Sequence, residues 1–443
     1  MEANADLVIR GGTVFDGGGG EPFEADIAVR DGKILAVGEF AGRGAEEIDA
    51  AGRMVTPGFI DVHTHYDGQL IWAERLSPSS GHGVTTVATG NCGVGFAPCR
   101  PADHERLIKL LEGVEDMPEV VLADGLAWDW ETFPEYVAAL KRRRHDLDFA
   151  VQLPHSALRM YVMGERAVDG AEATQGDMAQ MRVLAREAVE AGAFGFGTSR
   201  NIFHTTLAGQ VIPTAHTPEA ELTAIAEGVR EGGGGVIQAI LNVQSPQPDL
   251  EMFRRVAART GCPLSFTLLQ VGGPDRDSWK DLLAITREAR SQGVKVTGQV
   301  FPRPVGVLLG LDASYHPFSA HPTYLKIAHL PLKERVAAMR RPEVRAAILS
   351  EEPEPRGMVF YRIARVFEIT YPLGDPPVYE PDPATSIAAM ARARGVSPDE
   401  IAYDLLLEKE GRALLLQTIA NYADHNLEAA RTMLTDPNTV PAL

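Results

Sequence analysis

The chain has 443 residues, 45% hydrophobic and 23% charged, enough to bury a large core and to hold one α/β domain with a smaller unit beside it. Its formal net charge of -18 is spread along the sequence, opposed only by a short basic run at 141–144, which argues against nucleic acid or an anionic membrane as partner. Residues 1–6 hold no apolar signal core, no later stretch is long and apolar enough to span a bilayer, and three cysteines (Cys92, Cys99, Cys262) are too few for a disulfide framework, so a cytoplasmic location is expected.

In chain order, residues 7–10, 13–15, 26–30 and 33–37 read as short β runs, with Asp31-Gly32 as the hairpin turn before the last. They place a small β unit in residues 1–53. From residue 54, apolar runs alternate with helical segments, the rhythm of a parallel sheet with crossover helices. Seven strands are expected near 54–63, 84–92, 148–156, 193–199, 235–241, 263–270 and 294–301, with helices over 177–191, 217–230, 249–260 and 277–292 between the later ones. The first run, with Met54, Val55, Pro57, Phe59 and Ile60, reads as a fully buried strand.

This is the pattern of a (β/α)₈ barrel over 54–443, but no eighth strand is evident. After residue 383 the chain reads mainly as helix, and Leu443 follows shortly after the turn signal Asp436-Pro437-Asn438. The barrel is therefore expected to be incomplete at its C-terminus, and residues outside the given sequence, a second polypeptide or a subunit partner are the alternatives for covering its unpaired edges. Residues 302–383, rich in proline and aromatics with a β-like run at 358–371, read as a long insertion forming a lid, a substrate wall or packing over the rim. Its apolar surface around 302–330 makes a homodimer an open possibility.

The first barrel strand ends in His63-Thr64-His65, and side chains two apart share one face of a strand, so both imidazoles converge at the rim where barrels place their active sites. The second strand ends in Gly90-Asn91-Cys92-Gly93, which puts a thiol at the same rim. Two imidazoles and a thiolate suit Zn²⁺ with an open position, although other divalent metals accept imidazole. Polar residues at later strand ends are candidates for substrate contacts: His155 and Arg159 after the third, Arg200 and His204 after the fourth, Gln238 on the fifth, Gln270 after the sixth, and Gln299 with Arg303 on and after the seventh.

Residues 55–100, with Pro57-Gly58-Phe59-Ile60-Asp61-Val62-His63-Thr64-His65-Tyr66-Asp67, Gly83-Val84-Thr85-Thr86-Val87 and Gly90-Asn91-Cys92-Gly93-Val94-Gly95-Phe96-Ala97-Pro98, resemble the amidohydrolase superfamily, and within it the N-acyl-D-amino-acid deacylases. The resemblance implies a urease-type β-sandwich beside the metal-dependent barrel and activation of water to cleave an amide of a small N-acyl amino acid. It also implies a cysteine in place of a bridging carboxylated lysine, and an arginine near Arg303 for the substrate carboxylate. The sequence departs from that pattern where further metal histidines are expected: 236–241 and 265–270 contain none, so against that pattern one Zn²⁺ ion is expected rather than two. The catalytic aspartate implied after the eighth strand would lie beyond Leu443. Hydrolysis of another amide, a cyclic imide or a lactone stays open, as does a binding or scaffold protein on a decayed barrel.

Overall fold

The computed structural model describes residues 4–354 and 364–442 and divides the chain into two compact units, residues 1–60 with 77–86, and 61–76 with 87–443. In the first unit, strands β1 (Ala5–Val14), β2 (Phe23–Arg30), β3 (Lys33–Gly38) and β4 (Gly44–Asp49) form one sheet in the order β3-β2-β1-β4, and β5 (Met54–Val55) also pairs with β1. Asp31 and Gly32 take φ values of 50° and 69°, the left-handed pair that a two-residue hairpin between β2 and β3 requires. Ala5, Val8 and Ala28 form a small buried cluster, while Ile34, Leu35 and Val37 are exposed.

Strands β6 (Phe59–Asp61), β7 (Val84–Thr89) and β8 (Asp148–Val151) make a three-stranded sheet, and the boundary between the units falls within β6 and β7. The expectation of a fully buried first strand fails: Phe59 and Ile60 are 59% and 64% exposed, and burial begins only at Asp61 and His63. Apolar composition reports a preference for burial; it does not supply a covering layer.

In the second unit β9 (Leu153–Pro154), β10 (Gly195–Ser199), β11 (Val236–Ile240), β12 (Leu264–Thr267), β13 (Val296–Val300) and β17 (Thr439–Pro441) form a parallel sheet in that order. Helices Gln175–Ala191, Glu219–Glu231, Pro246–Thr260 and Ser278–Ser291 precede successive strands and pack in sequence against one another. A break at Gln152 divides the third strand into β8 and β9, so one run of chain serves both sheets.

The eighth position, expected to be absent, is occupied. Gly298, Gln299 and Val300 of β13 pair in parallel with Thr439, Val440 and Pro441. The Asp436 carboxylate accepts from the Asn438 backbone N–H and from Arg287, fixing the turn that leads into β17. Three residues behind a proline turn are too few to show a period of two, which is why the strand escaped sequence reading.

The inserted body runs further than 302–383. Strands β14 (Val305–Leu309), β15 (Thr370–Pro372) and β16 (Leu415–Ala420) form an antiparallel sheet in the order β14-β16-β15. A separate core joins Leu309, Phe318, Met339 and Ile348 to Ile387, Tyr403 and Leu415. Helices Ile387–Arg394 and Pro398–Leu406, expected to belong to the barrel, pack into this body instead. Of the β-like run at 358–371, residues 358–363 lie outside the described residues.

Candidate metal centre

Local backbone geometry brings the two histidines and the cysteine together. Gly90, Cys92 and Gly93 take φ values of 80°, 55° and 71°, a left-handed turn that lifts Cys92 off the end of β7. A Cβ at Gly90 would lie 2.4 Å from the Gln152 carbonyl oxygen, so the close approach requires glycine. The Asn91 amide donates to the carbonyls of Thr64 and Ala88 at 3.2 and 2.9 Å, stapling this turn to the His63-Thr64-His65 segment.

His63 Nε2 and His65 Nε2 each lie 3.4 Å from Cys92 Sγ. The three donor atoms fall within 4.8 Å of one another. Their outer contacts orient them. His63 Nδ1 lies 2.8 Å from Gln299 Oε1, a pairing that makes Nδ1 the protonated nitrogen and turns the Nε2 lone pair toward Cys92. His65 Nδ1 faces the buried Asp67 carboxylate at 3.7 Å, and Asp67 in turn accepts from the Gly90 N–H at 2.8 Å. The Cys92 N–H donates to Gln238 Oε1 at 3.1 Å.

Glu115 completes the cluster and has no counterpart among the expected site residues. It is the last residue of helix His104–Glu115, whose Leu107, Ile108, Leu110 and Leu111 are buried, and its Oε1 lies 3.2 Å from His65 Nε2. Burial opposes a charged His65 ring, but Glu115 and Cys92 outweigh it and hold the His65 pKa well above 6.5. Burial, reinforced by Glu115, pushes the Cys92 thiol up to about 12, and burial beside His65 pushes His63 down to about 3.

Of the residues expected to touch substrate, Gln299 is buried against His63 and acts on that ring. His204 is half-buried near the centre, its Nδ1 3.1 Å from Ser199 Oγ, and burial with the His65 charge lowers its pKa to about 4. Arg303 is exposed, its guanidinium 5.9 Å from the Tyr379 ring centroid. His155 does not face the centre. Helix His155–Met163 starts directly at the end of β9, and both ring nitrogens are committed, Nδ1 to Thr198 Oγ1 at 2.8 Å and Nε2 to Glu221 Oε1 at 2.9 Å. Arg159 lies on the same helix and shares Glu221 at 2.7 Å. Arg200 is likewise engaged, with Asp249 at 2.7 Å and the Thr217 carbonyl. The Gln270 side chain donates to Asp424 Oδ2 and accepts from the Ala423 N–H, and its backbone N–H donates to Asn421 Oδ1.

The histidine and cysteine cluster follows β6 and β7, beside a sheet of parallel strands, and the class is given by the sequence: residues 46–443 match the amidohydrolase family, and the chain belongs to it. Among particular relatives, it is 32% identical over 315 residues to the N-acyl-D-aspartate deacylase of Alcaligenes xylosoxydans xylosoxydans, a match covering 70% of this chain and 58% of that protein. The chain therefore spans little more than half the length of that relative. A crystal structure of D-aminoacylase shares the fold with a TM-score of 0.63 at 23% identity, over 99% of this chain and 75% of that one. The N-acyl-D-glutamate deacylase of Bordetella bronchiseptica, solved with zinc and a phosphonate mimic of the tetrahedral intermediate, matches with a TM-score of 0.60 at 24% identity, over 100% of this chain and 76% of that one. No helix among the described residues is long and apolar enough to cross a membrane.

Proposed function

We propose that this chain carries the metal centre of a hydrolase that cleaves the C–N amide bond of a small N-acyl amino acid, with His63, His65 and Cys92 holding one Zn²⁺ ion. The observation that carries the reading is the approach of both Nε2 atoms to Cys92 Sγ at 3.4 Å. Nitrogen and sulfur donors on one tetrahedral zinc stand about 3.6 Å apart, so the donor set fits that ion with little rearrangement. The deacylase names of the relatives and the zinc in the Bordetella enzyme support the same chemistry.

A Zn²⁺ ion bound there lowers the pKa of water and polarises an amide carbonyl. The rest falls to residues of this chain. Gln299 holds the His63 imidazole by its outer nitrogen and Gln238 fixes the Cys92 backbone, so these two donors are oriented before an ion arrives, while the Asp67 carboxylate faces the outer nitrogen of His65 at 3.7 Å. His204, neutral at ordinary pH, is placed to exchange hydrogen bonds with the substrate. Arg303 is exposed and free to swing from Tyr379 onto a substrate carboxylate, which its planar donors bind in pairs.

The test is His63→Ala, with zinc per chain measured by mass spectrometry and free amino acid release measured from N-acetyl-D-amino acids. The expected result is joint loss of zinc and turnover; unchanged zinc content with unchanged turnover rejects the assignment. A second reading has its own observation, since β11 and β12 present Gln238 and Thr267 but no histidine. Zinc bound by the unsubstituted chain, without turnover of acyl amides, cyclic imides or lactones, selects a binding protein on this scaffold.

A further inference from the structure

We propose that Glu115 is a fourth donor to the ion held by His63, His65 and Cys92. The inference rests on the metal reading above and deepens it. Glu115 ends its helix at a left-handed residue, Asp116 with φ 55°, whose N–H returns to the Glu112 carbonyl. The chain turns away there and leaves the Glu115 carboxylate directed at the histidines, with its side chain only 17% exposed.

Two physical arguments point to a cation. The first is charge. Buried charges are paired or coordinate metals, and a carboxylate at a helix C-terminus already meets the negative end of the helix dipole. Among the described residues no lysine or arginine pairs with Glu115, and its ion-pair partner is His65. Once Cys92 binds as thiolate, Glu115, Asp67 and Cys92 carry three negative charges around two neutral rings. A divalent cation offsets most of that; a protonated His65 offsets one third.

The second argument is geometric. His65 Nε2 cannot both carry a proton for Glu115 and give its lone pair to an ion, so metal binding removes the hydrogen bond that now holds the carboxylate. Glu115 Oε1 stands 3.2 Å from that nitrogen. Nitrogen and oxygen donors on one tetrahedral zinc stand about 3.3 Å apart. The ion therefore takes the place of the proton between them; Glu115 stands outside the trio whose donor atoms fall within 4.8 Å of one another, so its carboxylate closes on the other donors as the ion binds.

The experiment titrates the metal-free, full-length chain with Co²⁺ alone, following the d–d bands, which report coordination number and geometry, and the thiolate charge-transfer band, which reports Cys92. In Glu115→Gln, an isosteric change, Co²⁺ affinity is expected to fall roughly tenfold to hundredfold, a loss at least as large as outer-shell changes cause. The d–d bands should change while the thiolate band persists, and Glu115→Asp should fall between. Unchanged affinity and unchanged d–d bands in Glu115→Gln overturn the proposal and leave the three-donor centre standing. An unsubstituted chain that binds Co²⁺ without a thiolate band, or not at all, overturns the centre and this inference together. Should Glu115→Gln fail to fold by far-ultraviolet circular dichroism, Glu115→Asp decides: shifted bands with weaker binding support the fourth donor, and unchanged ones overturn it.

Discussion

The second unit buries two histidine and glutamate clusters of similar composition and opposite electrostatic design. Around His155, an arginine supplies a permanent cation: Arg159 bonds Glu221 and the carbonyls of Pro213 and Ala171, and His155 spends both ring nitrogens on Thr198 and Glu221. Around His65, two carboxylates and a thiol meet no arginine among the described residues, and His65 Nδ1 and Asp67 Oδ2 lack hydrogen-bond partners there. The first cluster balances its own charge and holds the structure. The second balances only when something positive enters. Residue type does not separate a structural histidine from a ligand; the sign and permanence of the charges facing it do.

The sharpest way to break the comparison is to exchange the expected losses. Cys92→Ser should abolish zinc binding and lower turnover of N-acyl amino acids by at least about a hundredfold, with little change in the urea midpoint of the metal-free protein. Glu221→Gln should do the reverse. It strands Arg159, whose side chain is 3% exposed, and should cost about 3–5 kcal/mol in urea unfolding while the protein that remains folded keeps its zinc affinity. If Glu221→Gln lowered zinc affinity without lowering stability, the two clusters would not be the independent devices described.

Gln299→Ala sharpens the same contrast with a smaller effect. It frees the His63 Nδ1 contact at 2.8 Å without removing a donor, so zinc should bind roughly tenfold more weakly, as read by competition with a chromogenic chelator. An unchanged affinity would mean that the His63 ring is oriented by its packing, for instance against Phe301 at 6.2 Å, and not by the amide.

The comparison also explains what the sequence could and could not show. His63, His65 and Cys92 were legible because strand alternation fixes which side chains share a face and a parallel repeat carries neighbouring strand ends to one rim. Glu115 was not, because it comes from the far end of a helix, where an acidic residue looks like any solvated one until the left-handed turn at Asp116 is seen. His155 was misplaced for a related reason. It follows a strand, as a rim residue should, but its helix begins at once and the ring is drawn in between that helix and β10. The first seven strand positions could be read from their apolar runs; β17, a few residues behind a proline turn, offered no such run, and helices 387–394 and 398–406 carry the same periodicity whether they cover a parallel sheet or fill an insertion.

The smallest effect tests the protonation state that makes the His155 cluster structural. Burial lowers the His155 pKa below 6.5, and the opposing pull of Glu221 does not restore it. Thr198 donates to Nδ1 and the ring donates through Nε2–H to Glu221, so the folded ring is neutral. In the unfolded chain the ring binds a proton as pH falls through 6.5, whereas the folded ring does so only lower, so its contribution to stability is full above 6.5 and is lost as pH falls toward the folded value. Glu221 adds a loss at lower pH: burial opposes its charge, but His155 and Arg159 outweigh that and hold its pKa below 4.5. His63, His204 and His316 slope the same way and His65 the opposite way, so the informative quantity is a difference. In metal-free protein, His155→Gln should make the fall in unfolding free energy below pH 6.5 shallower by up to about 1.4 kcal/mol per pH unit, the limit for one proton. A slope identical to that of the unsubstituted chain would mean that His155 is already charged when folded. Glu221 would then face two cations, and the cluster would share with the metal centre the feature that is supposed to set them apart.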